Sequence, residues 1–232
     1  MSEIYLVRHA QASYLSDNYD KLSEVGEKQS QLLAKYLHEK SIKFDQAFVG
    51  PLVRQNQTFN FIKEQNDIAH TTNLLNLKEH EGPKALKLYY EDLINESEYV
   101  RNLWEAFQKD PSLRRKNSLL IFEHFIRKWI RGEIRVNGTE PWSEFKTNAL
   151  FALSQIRSNT HKNQRSLVVS SGGTIAAMLS SVLKMHDMIE VAQLNYLIRN
   201  ASITKLTLNK DRISLLSFNE VTHLPVKMHT FV

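Results

Sequence analysis

An arginine and a histidine stand side by side near the start of the chain, where Arg8 and His9 follow the apolar run "EIYLV". In an open α/β sheet, ligands bind outside the carboxyl ends of the strands, so a strand here would place both side chains at a ligand site. The guanidinium offers a planar donor fork that matches two oxygens of a phosphate. An imidazole nitrogen can attack phosphorus and leave again near neutral pH. The pair is therefore a candidate for phosphoryl chemistry.

Three later segments place further phosphate-binding groups at the ends of other predicted strands. In "VGPLVRQNQT", Arg54 falls in the first turn of a predicted helix. In "LNLKEHEG", Glu79 follows a third strand, and a carboxylic acid there could protonate a leaving oxygen. In "VVSSGGTIAAM", Ser171 and Gly172 join a strand to a helix whose free N–H groups could bind an anion. Each segment alone has an ordinary structural explanation, but four of them at strand ends favour a phosphate site.

The elements that would position these groups follow from hydrophobic spacing. Short β-rich runs alternate with longer runs of helical periodicity. Strands are predicted at 3–8, 45–50, 71–77 and 166–171, with a closing hairpin around 209–211. Helices are predicted at about 23–40, 51–64, 141–157 and 172–183, two of them with a proline suited to the first turn.

This alternation predicts an α/β fold, a three-layer sandwich with a mostly parallel central sheet flanked by helices. Residues 84–135, approximately, carry much helical pattern and no good strand. We interpret them as an α-helical insertion over the active-site end of the sheet, within a single domain that spans residues 1–232. At 232 residues the chain is long enough for one well-buried core.

Composition excludes several classes of protein. The chain has no cysteine, which rules out disulfides, zinc–thiolate sites and a cysteine nucleophile. The start "MSEIYLVRHAQ" does not have the pattern of a signal peptide, and no apolar run approaches a membrane span. We therefore expect a cytoplasmic protein without a membrane partner. The net charge of +5 suits an anionic substrate, and without a nucleic-acid motif we expect no nucleic-acid partner.

The same segments resemble, in order, the motifs of the histidine phosphatase superfamily, also called the phosphoglycerate mutase-like proteins. "RHAQAS" resembles the family's R-H-G motif, and "LSEVGEKQSQLLAKYL" its L-T/S-x-x-G-x-x-Q-A helix. "GPLVRQNQT" resembles S-P-L-x-R-A-x-Q-T, and "LKEHEG" is similar to the L-x-E segment that supplies a proton donor. "NASIT" and "SFNEVTHL" look like the family's closing strands. The resemblance covers nearly the whole chain.

The resemblance implies phosphoryl transfer without a metal or another cofactor, on a small phosphorylated substrate. It makes His9 the nucleophile, which forms a phosphohistidine, and Glu79 the acid that protonates the leaving alcohol and later activates water. It assigns phosphate binding to a set of five residues: Arg8, Gln11, Arg54, Ser171 and Gly172. The working unit is expected to be a monomer or a homodimer.

We consider three departures from the family pattern. Ala10 replaces a usual glycine, and Gly50 a usual serine. The larger departure is Ser171, because the family motif reads S-H-G-G-T and its second histidine falls on this residue. A serine donates a neutral hydrogen bond where a charged one is expected, so we expect a loss of about tenfold in turnover.

Other functions stay open at this point. The chain could be a phosphate-binding protein with little or no turnover, because Ser171 lacks the charge of a histidine. Mutase activity is a variant of the phosphatase hypothesis. A serine hydrolase would use Ser171 with His223 and with Asp187 or Asp211, in the α/β-hydrolase order. That hypothesis leaves the arginines and His9 unexplained. His80 and His223 are the histidines that could replace the missing one in space.

Overall fold

A computed structural model describes residues 1–13, 20–209 and 212–231 of the chain. Its strands are β1 (Ser2–Arg8), β2 (Gln46–Val49), β3 (His70–Asn73), β4 (Arg165–Ser170), β5 (Ile203–Asn209) and β6 (Arg212–Glu220). Its helices are α1 (Glu24–Glu39), α2 (Val53–Gln65), α3 (Gly82–Glu96), α4 (Glu98–Lys109), α5 (Arg114–Ile130), α6 (Trp142–Asn159), α7 (Gly172–Val182) and α8 (Met188–Leu197).

One six-stranded sheet with the order β3-β2-β4-β1-β5-β6 carries the candidate site. β3, β2, β4 and β1 run parallel, while β5 pairs antiparallel with β1, and β6 antiparallel with β5. The carboxyl ends of the four parallel strands therefore lie at one edge of the sheet. The segment that precedes β5 reaches the same edge, because β5 runs in the opposite direction.

Both faces of the central strands are buried, which makes the fold a layered sandwich. On β1, Tyr5 and Val7 join a core cluster with Leu33 of α1 and Phe59 of α2. Ile4 points to the opposite face and is also fully buried. Of the helices that follow strands, α2 contacts β2 and β4, whereas α7 contacts β1 and β6. The α/β class and the mostly parallel sheet predicted from the sequence are confirmed.

Local signals set most helix boundaries. Ser23 caps α1 by accepting a hydrogen bond from Gly26 N, at 3.0 Å. Pro51 lies before α2 rather than in its first turn, because Leu52 is the N-cap residue. The third predicted strand, 71–77, is shorter in the structure: β3 ends at Asn73 and a 3-10 turn follows at Leu75–Leu77. α8 was not predicted from the sequence.

Internal contacts divide the chain into two compact units. One comprises Met1–Glu79 with Lys146–Val232, and the other His80–Phe145. The second unit contains α3, α4 and α5. Every residue from 80 to 145 is described, and none of them lies in a strand. The predicted helical insertion falls inside this unit, while its placement over the sheet stays a prediction. Within the described ranges, we find no helix with the length and apolar character needed to cross a membrane.

Candidate active site

His9 lies directly after β1, at the edge where the parallel strands end. Its backbone N–H donates to Ser170 O of β4, at 2.8 Å. Its carbonyl accepts from the side chain of Asn200, at 3.3 Å, and from Ala201 N, also at 3.3 Å. The residue is only 5% exposed. Hydrogen bonds to its backbone on both sides thus hold His9 between β4 and the segment that precedes β5.

The protonation state of His9 follows from its two ring partners. Nδ1 lies 2.8 Å from Ala10 O, and Arg54 Nε lies 3.0 Å from Nε2. A carbonyl only accepts and a guanidinium only donates, so Nδ1 carries the hydrogen and Nε2 presents its lone pair. Burial, and then the charges of Arg54 and Arg8, hold the pKa of His9 well below its usual value. A neutral imidazole with an unprotonated Nε2 is the form that a nucleophile requires.

Arg54 is held from two sides in the first turn of α2. Its Nη1 donates to Asp20 Oδ1 at 2.7 Å, and the other oxygen of Asp20 accepts from Val53 N at 2.9 Å. On its other side, Arg54 Nε donates to His9 Nε2. The Arg54 side chain is 9% exposed and that of Asp20 is 32% exposed, so this ion pair is partly shielded from water. The aspartate therefore fixes the direction of the guanidinium beside His9.

Arg8 approaches the start of α7. Its Nη1 donates to Ile198 O, in the segment after α8. A Cβ at position 172 would lie 3.4 Å from Arg8 Nε and would collide with Asn195 Oδ1. Gly172 is thus a position where a side chain would crowd the guanidinium. The predicted phosphate ligands Arg8 and Gly172 are neighbours in the structure.

Glu79 also reaches the start of α7. Its Oε2 accepts from Gly173 N at 3.1 Å. The hydroxyl of Thr174 donates to Lys78 O, and Ser170 Oγ donates to Leu77 O at 2.8 Å. These bonds dock the segment before Glu79 on the β4–α7 connection. The Glu79 carboxylate therefore accepts from one of the N–H groups at the start of α7, where the sequence predicts anion binding.

Ser171 is the N-cap residue of α7, but its side chain does not cap the helix. Its Oγ accepts from Gln55 Nε2 at 2.9 Å, and the residue is fully buried. The site residues therefore fall into contacting groups at one sheet edge: His9 with Arg54, Arg8 with Gly172, Glu79 with Gly173, and Ser171 with Gln55.

Gln11 is tied to the start of α1. Its N–H donates to Gln29 Oε1 at 2.8 Å, and its own Oε1 accepts from Ser23 Oγ at 2.9 Å. Gln29 is completely buried and donates to Met228 O and to Thr230 Oγ1. The contacts of Gln11 thus hold the loop after His9, and its predicted phosphate contact stays a prediction.

His80 and His223, the two possible replacements for the missing histidine, contact aromatic rings and backbone groups. His80 packs against the rings of Trp129, Trp142 and Phe145, and its Nδ1 accepts from Gly82 N at 3.1 Å. His223 Nε2 lies 3.0 Å from Ala201 O. None of these contacts involves a candidate site residue.

The serine hydrolase alternative does not fit these contacts. His223 bonds to a backbone carbonyl through Nε2, and its buried Nδ1 has no partner among the described residues. Asp187 caps α8 by accepting from Ile189 N at 2.7 Å. Ser171 accepts from Gln55 instead of donating to a histidine. Asp211 lies outside the described residues.

Sequence reasoning missed the residues that position the candidate nucleophile and arginines. Thr58 Oγ1 accepts from Ala10 N at 3.0 Å and donates to Arg54 O at 2.8 Å, so it links the loop after β1 to α2. The other missed residues are Asp20, Gln29, Gln55 and Asn200. All but Asp20 lie inside the segments that resemble family motifs, which was the available signal. In the described parts of the chain, no group of three or more metal-binding side chains could hold a metal ion.

Comparison with known proteins agrees with this fold. YhfR from Bacillus stearothermophilus superposes with a TM-score of 0.68 at 17% identity, covering 96% of this chain and 99% of that one. A mutant phosphoserine phosphatase from Entamoeba histolytica, in complex with phosphoserine, gives 0.62 at 20% identity, covering 97% and 100%. A mycobacterial glucosyl-3-phosphoglycerate phosphatase, in complex with VO3, gives 0.62 at 19% identity, covering 94% and 99%.

Sequence comparison identifies the family of this chain but no individual relative among the curated proteins. A search of curated proteins gave no significant match. The family profile described as "Histidine phosphatase superfamily (branch 1)" matches residues 4–120 and 115–221, which is most of the chain. These matches span all the segments from Arg8 to the strand β6. The chain belongs to the histidine phosphatase superfamily, branch 1.

Proposed function

We propose that this protein is a phosphatase that hydrolyses a small phosphate monoester through a phosphohistidine at His9. The observation that carries the proposal is the state of His9: buried, neutral, with Nε2 unprotonated and 3.0 Å from Arg54 Nε. The family and its phosphatase neighbours support the same reaction class. An anionic ester suits a site where burial, and then the charges of Arg54 and Arg8, lower the pKa of His9.

In the proposed reaction, phosphate oxygens take over the donors of Arg54 and Arg8. The Nε–H of Arg54 then bonds to the substrate and releases the Nε2 lone pair. Nε2 attacks phosphorus, the ester P–O bond breaks, and the leaving alkoxide takes a proton from Glu79. Glu79 next takes a proton from water, whose oxygen attacks phosphorus and breaks the P–N bond. Most of the catalysis is positioning and charge compensation, which the two arginines supply.

The test is hydrolysis of p-nitrophenyl phosphate in the presence of EDTA, followed by a screen of phosphorylated metabolites. We expect turnover by the wild-type protein, and a fall on the order of a thousandfold or more for His9→Ala. Brief incubation with substrate should label the wild-type protein with acid-labile, base-stable phosphate. Turnover that survives His9→Ala would contradict the assignment of the nucleophile.

The binding-protein alternative is favoured by one observation, the neutral Ser171 and its hydrogen bond from Gln55. It predicts that calorimetry detects inorganic phosphate binding while no ester releases phosphate. Mutase activity would appear as transfer between positions of one substrate without net release. The cytoplasmic location and the monomer or homodimer expected from the sequence stay predictions.

A further inference from the structure

Gln55 is a buried polar residue beside the candidate site, and the proposed reaction gives it no role. It is completely buried in the first turn of α2. Its Oε1 accepts from Leu52 N at 3.0 Å, and its Nε2 donates to Leu77 O at 2.9 Å. A backbone N–H must donate and a carbonyl must accept, so these two bonds settle which end of the amide is oxygen and which is nitrogen. Its third bond, from Nε2 to Ser171 Oγ at 2.9 Å, therefore has Ser171 as the acceptor.

This assignment determines what the Ser171 hydroxyl can do. Its oxygen takes one N–H from Gln55, so the hydroxyl hydrogen is left to donate in another direction. Ser171 follows Ser170, whose carbonyl accepts from His9 N at 2.8 Å. The serine thus stands at the sheet edge beside the candidate nucleophile, with Gln55 on one side.

The Gln55 amide also fills space that neighbouring positions would need. A Cβ at position 50 would collide with Gln55 Oε1 and would lie 2.7 Å from Leu77 O. Ser171 is itself fully buried against the amide, so a larger side chain there would enter the same volume. The family motifs have serine, alanine and histidine where this chain has Gly50, Gln55 and Ser171. Gln55 therefore departs from the quoted motif as Gly50 and Ser171 do, and these three residues lie together and are sterically linked.

We infer that Gln55 is a positioning residue that takes the volume beside position 171 and aims the Ser171 hydroxyl at the bound phosphate. The first part rests on packing alone. The second part rests on the proposed function, because it requires a phosphate at the site. Gln55 also caps α2 through its bond from Leu52 N, so the test must separate positioning from simple stabilisation.

The packing part is tested by thermal unfolding of Gln55→Ala, Ser171→His and the double variant. We expect Ser171→His alone to lower Tm by about 5 °C or more, because the ring has no room. In the Gln55→Ala background the same change should lower Tm by less than half as much. Equal effects of Ser171→His in both backgrounds would overturn this part, whether or not the protein is a phosphatase.

The positioning part is tested by kcat and KM of Gln55→Met, Ser171→Ala and the double variant. Gln55→Met should lower kcat about fivefold in the wild type and less than twofold in Ser171→Ala, with KM nearly unchanged. Asn56→Leu is the matched control, because Asn56 Nδ2 donates to Gly50 O and Leu52 O, both at 3.0 Å, and not to Ser171. Its effect on kcat should be small and equal in both backgrounds.

The outcomes separate this inference from the proposed function. A fall in kcat for Gln55→Met that is the same with and without the Ser171 hydroxyl would overturn positioning through Ser171. If the wild-type protein turns over no ester, the proposed function fails, and the same cycle is measured on the Kd for inorganic phosphate. Gln55→Met should then weaken phosphate binding only when Ser171 is present, and an equal weakening in both backgrounds would overturn it.

Discussion

Replacing Thr58 by valine removes a clamp on the candidate nucleophile while keeping the shape of the side chain. Thr58 is fully buried in α2. Its Oγ1 accepts from Ala10 N, directly after His9, at 3.0 Å, and donates to Arg54 O at 2.8 Å. The variant leaves the Ala10 N–H buried without this acceptor. It therefore disturbs the backbone on which His9 and Arg54 are both placed.

The expected size follows from these bonds. A lost hydrogen bond to a buried backbone donor costs about 1–3 kcal/mol. For a chain of 232 residues, about 2 kcal/mol corresponds to a Tm lower by about 4–8 °C. Because phosphoryl transfer depends on positioning, we expect kcat/KM for p-nitrophenyl phosphate to fall about tenfold. Circular dichroism melting and steady-state hydrolysis measure the two effects on the same sample.

Two controls separate the clamp from general destabilisation. Thr58→Ser keeps the hydroxyl and should retain most of the activity. Thr160 makes comparable buried bonds, to Ile156 O and Ser166 Oγ, both at 2.7 Å, at the end of α6. Thr160→Val should lower Tm without changing kcat/KM. Equal activity of Thr58→Val and Thr58→Ser, or an equal loss of activity in Thr160→Val, would contradict the role of Thr58 in positioning His9 and Arg54.

Three further predictions concern the charge, the packing and the titration of this fold. Arg54→Lys should lower kcat/KM about a hundredfold, because one ammonium cannot replace the guanidinium that reaches both His9 and its aspartate partner; an effect below threefold in steady-state assays would contradict this. Gly50→Ala should lower Tm, because the methyl meets the amide of Gln55, and an unchanged melting curve would be evidence against the packing. Burial lowers the pKa of His223 to about 4, so between pH 4 and 6.5 the unfolded state binds a proton that the folded state does not, and stability falls as pH falls. Urea unfolding at several pH values measures how the free energy of unfolding depends on pH. His223→Gln should reduce this slope by about 1.4 kcal/mol per pH unit, and an unchanged slope would contradict a buried, neutral His223.

The sequence by itself determined the architecture and the location of the candidate site at one edge of the sheet. Alternating β-rich and helical runs were enough for the α/β class, and the strands at Ser2–Arg8, Gln46–Val49 and Arg165–Ser170 match their predictions closely. Parallel strands end at one edge, so residues that follow them must meet there. Local signals such as the Ser23 cap also set a helix boundary. These features could be predicted from the sequence because each depends on residues that are close together in the chain.

Only the tertiary structure decided which atoms work together. The tautomer of His9 depends on Arg54, which is 45 positions away, and the hydroxyl of Ser171 depends on Gln55, 116 positions away. Asp20 has no local pattern that marks it as a partner of Arg54. Such pairings arise when packing brings distant segments into a volume with little water, where each buried donor needs an acceptor. Ser171 looked like an isolated substitution in the sequence, and in the fold it is one member of a packed set with Gln55 and Gly50.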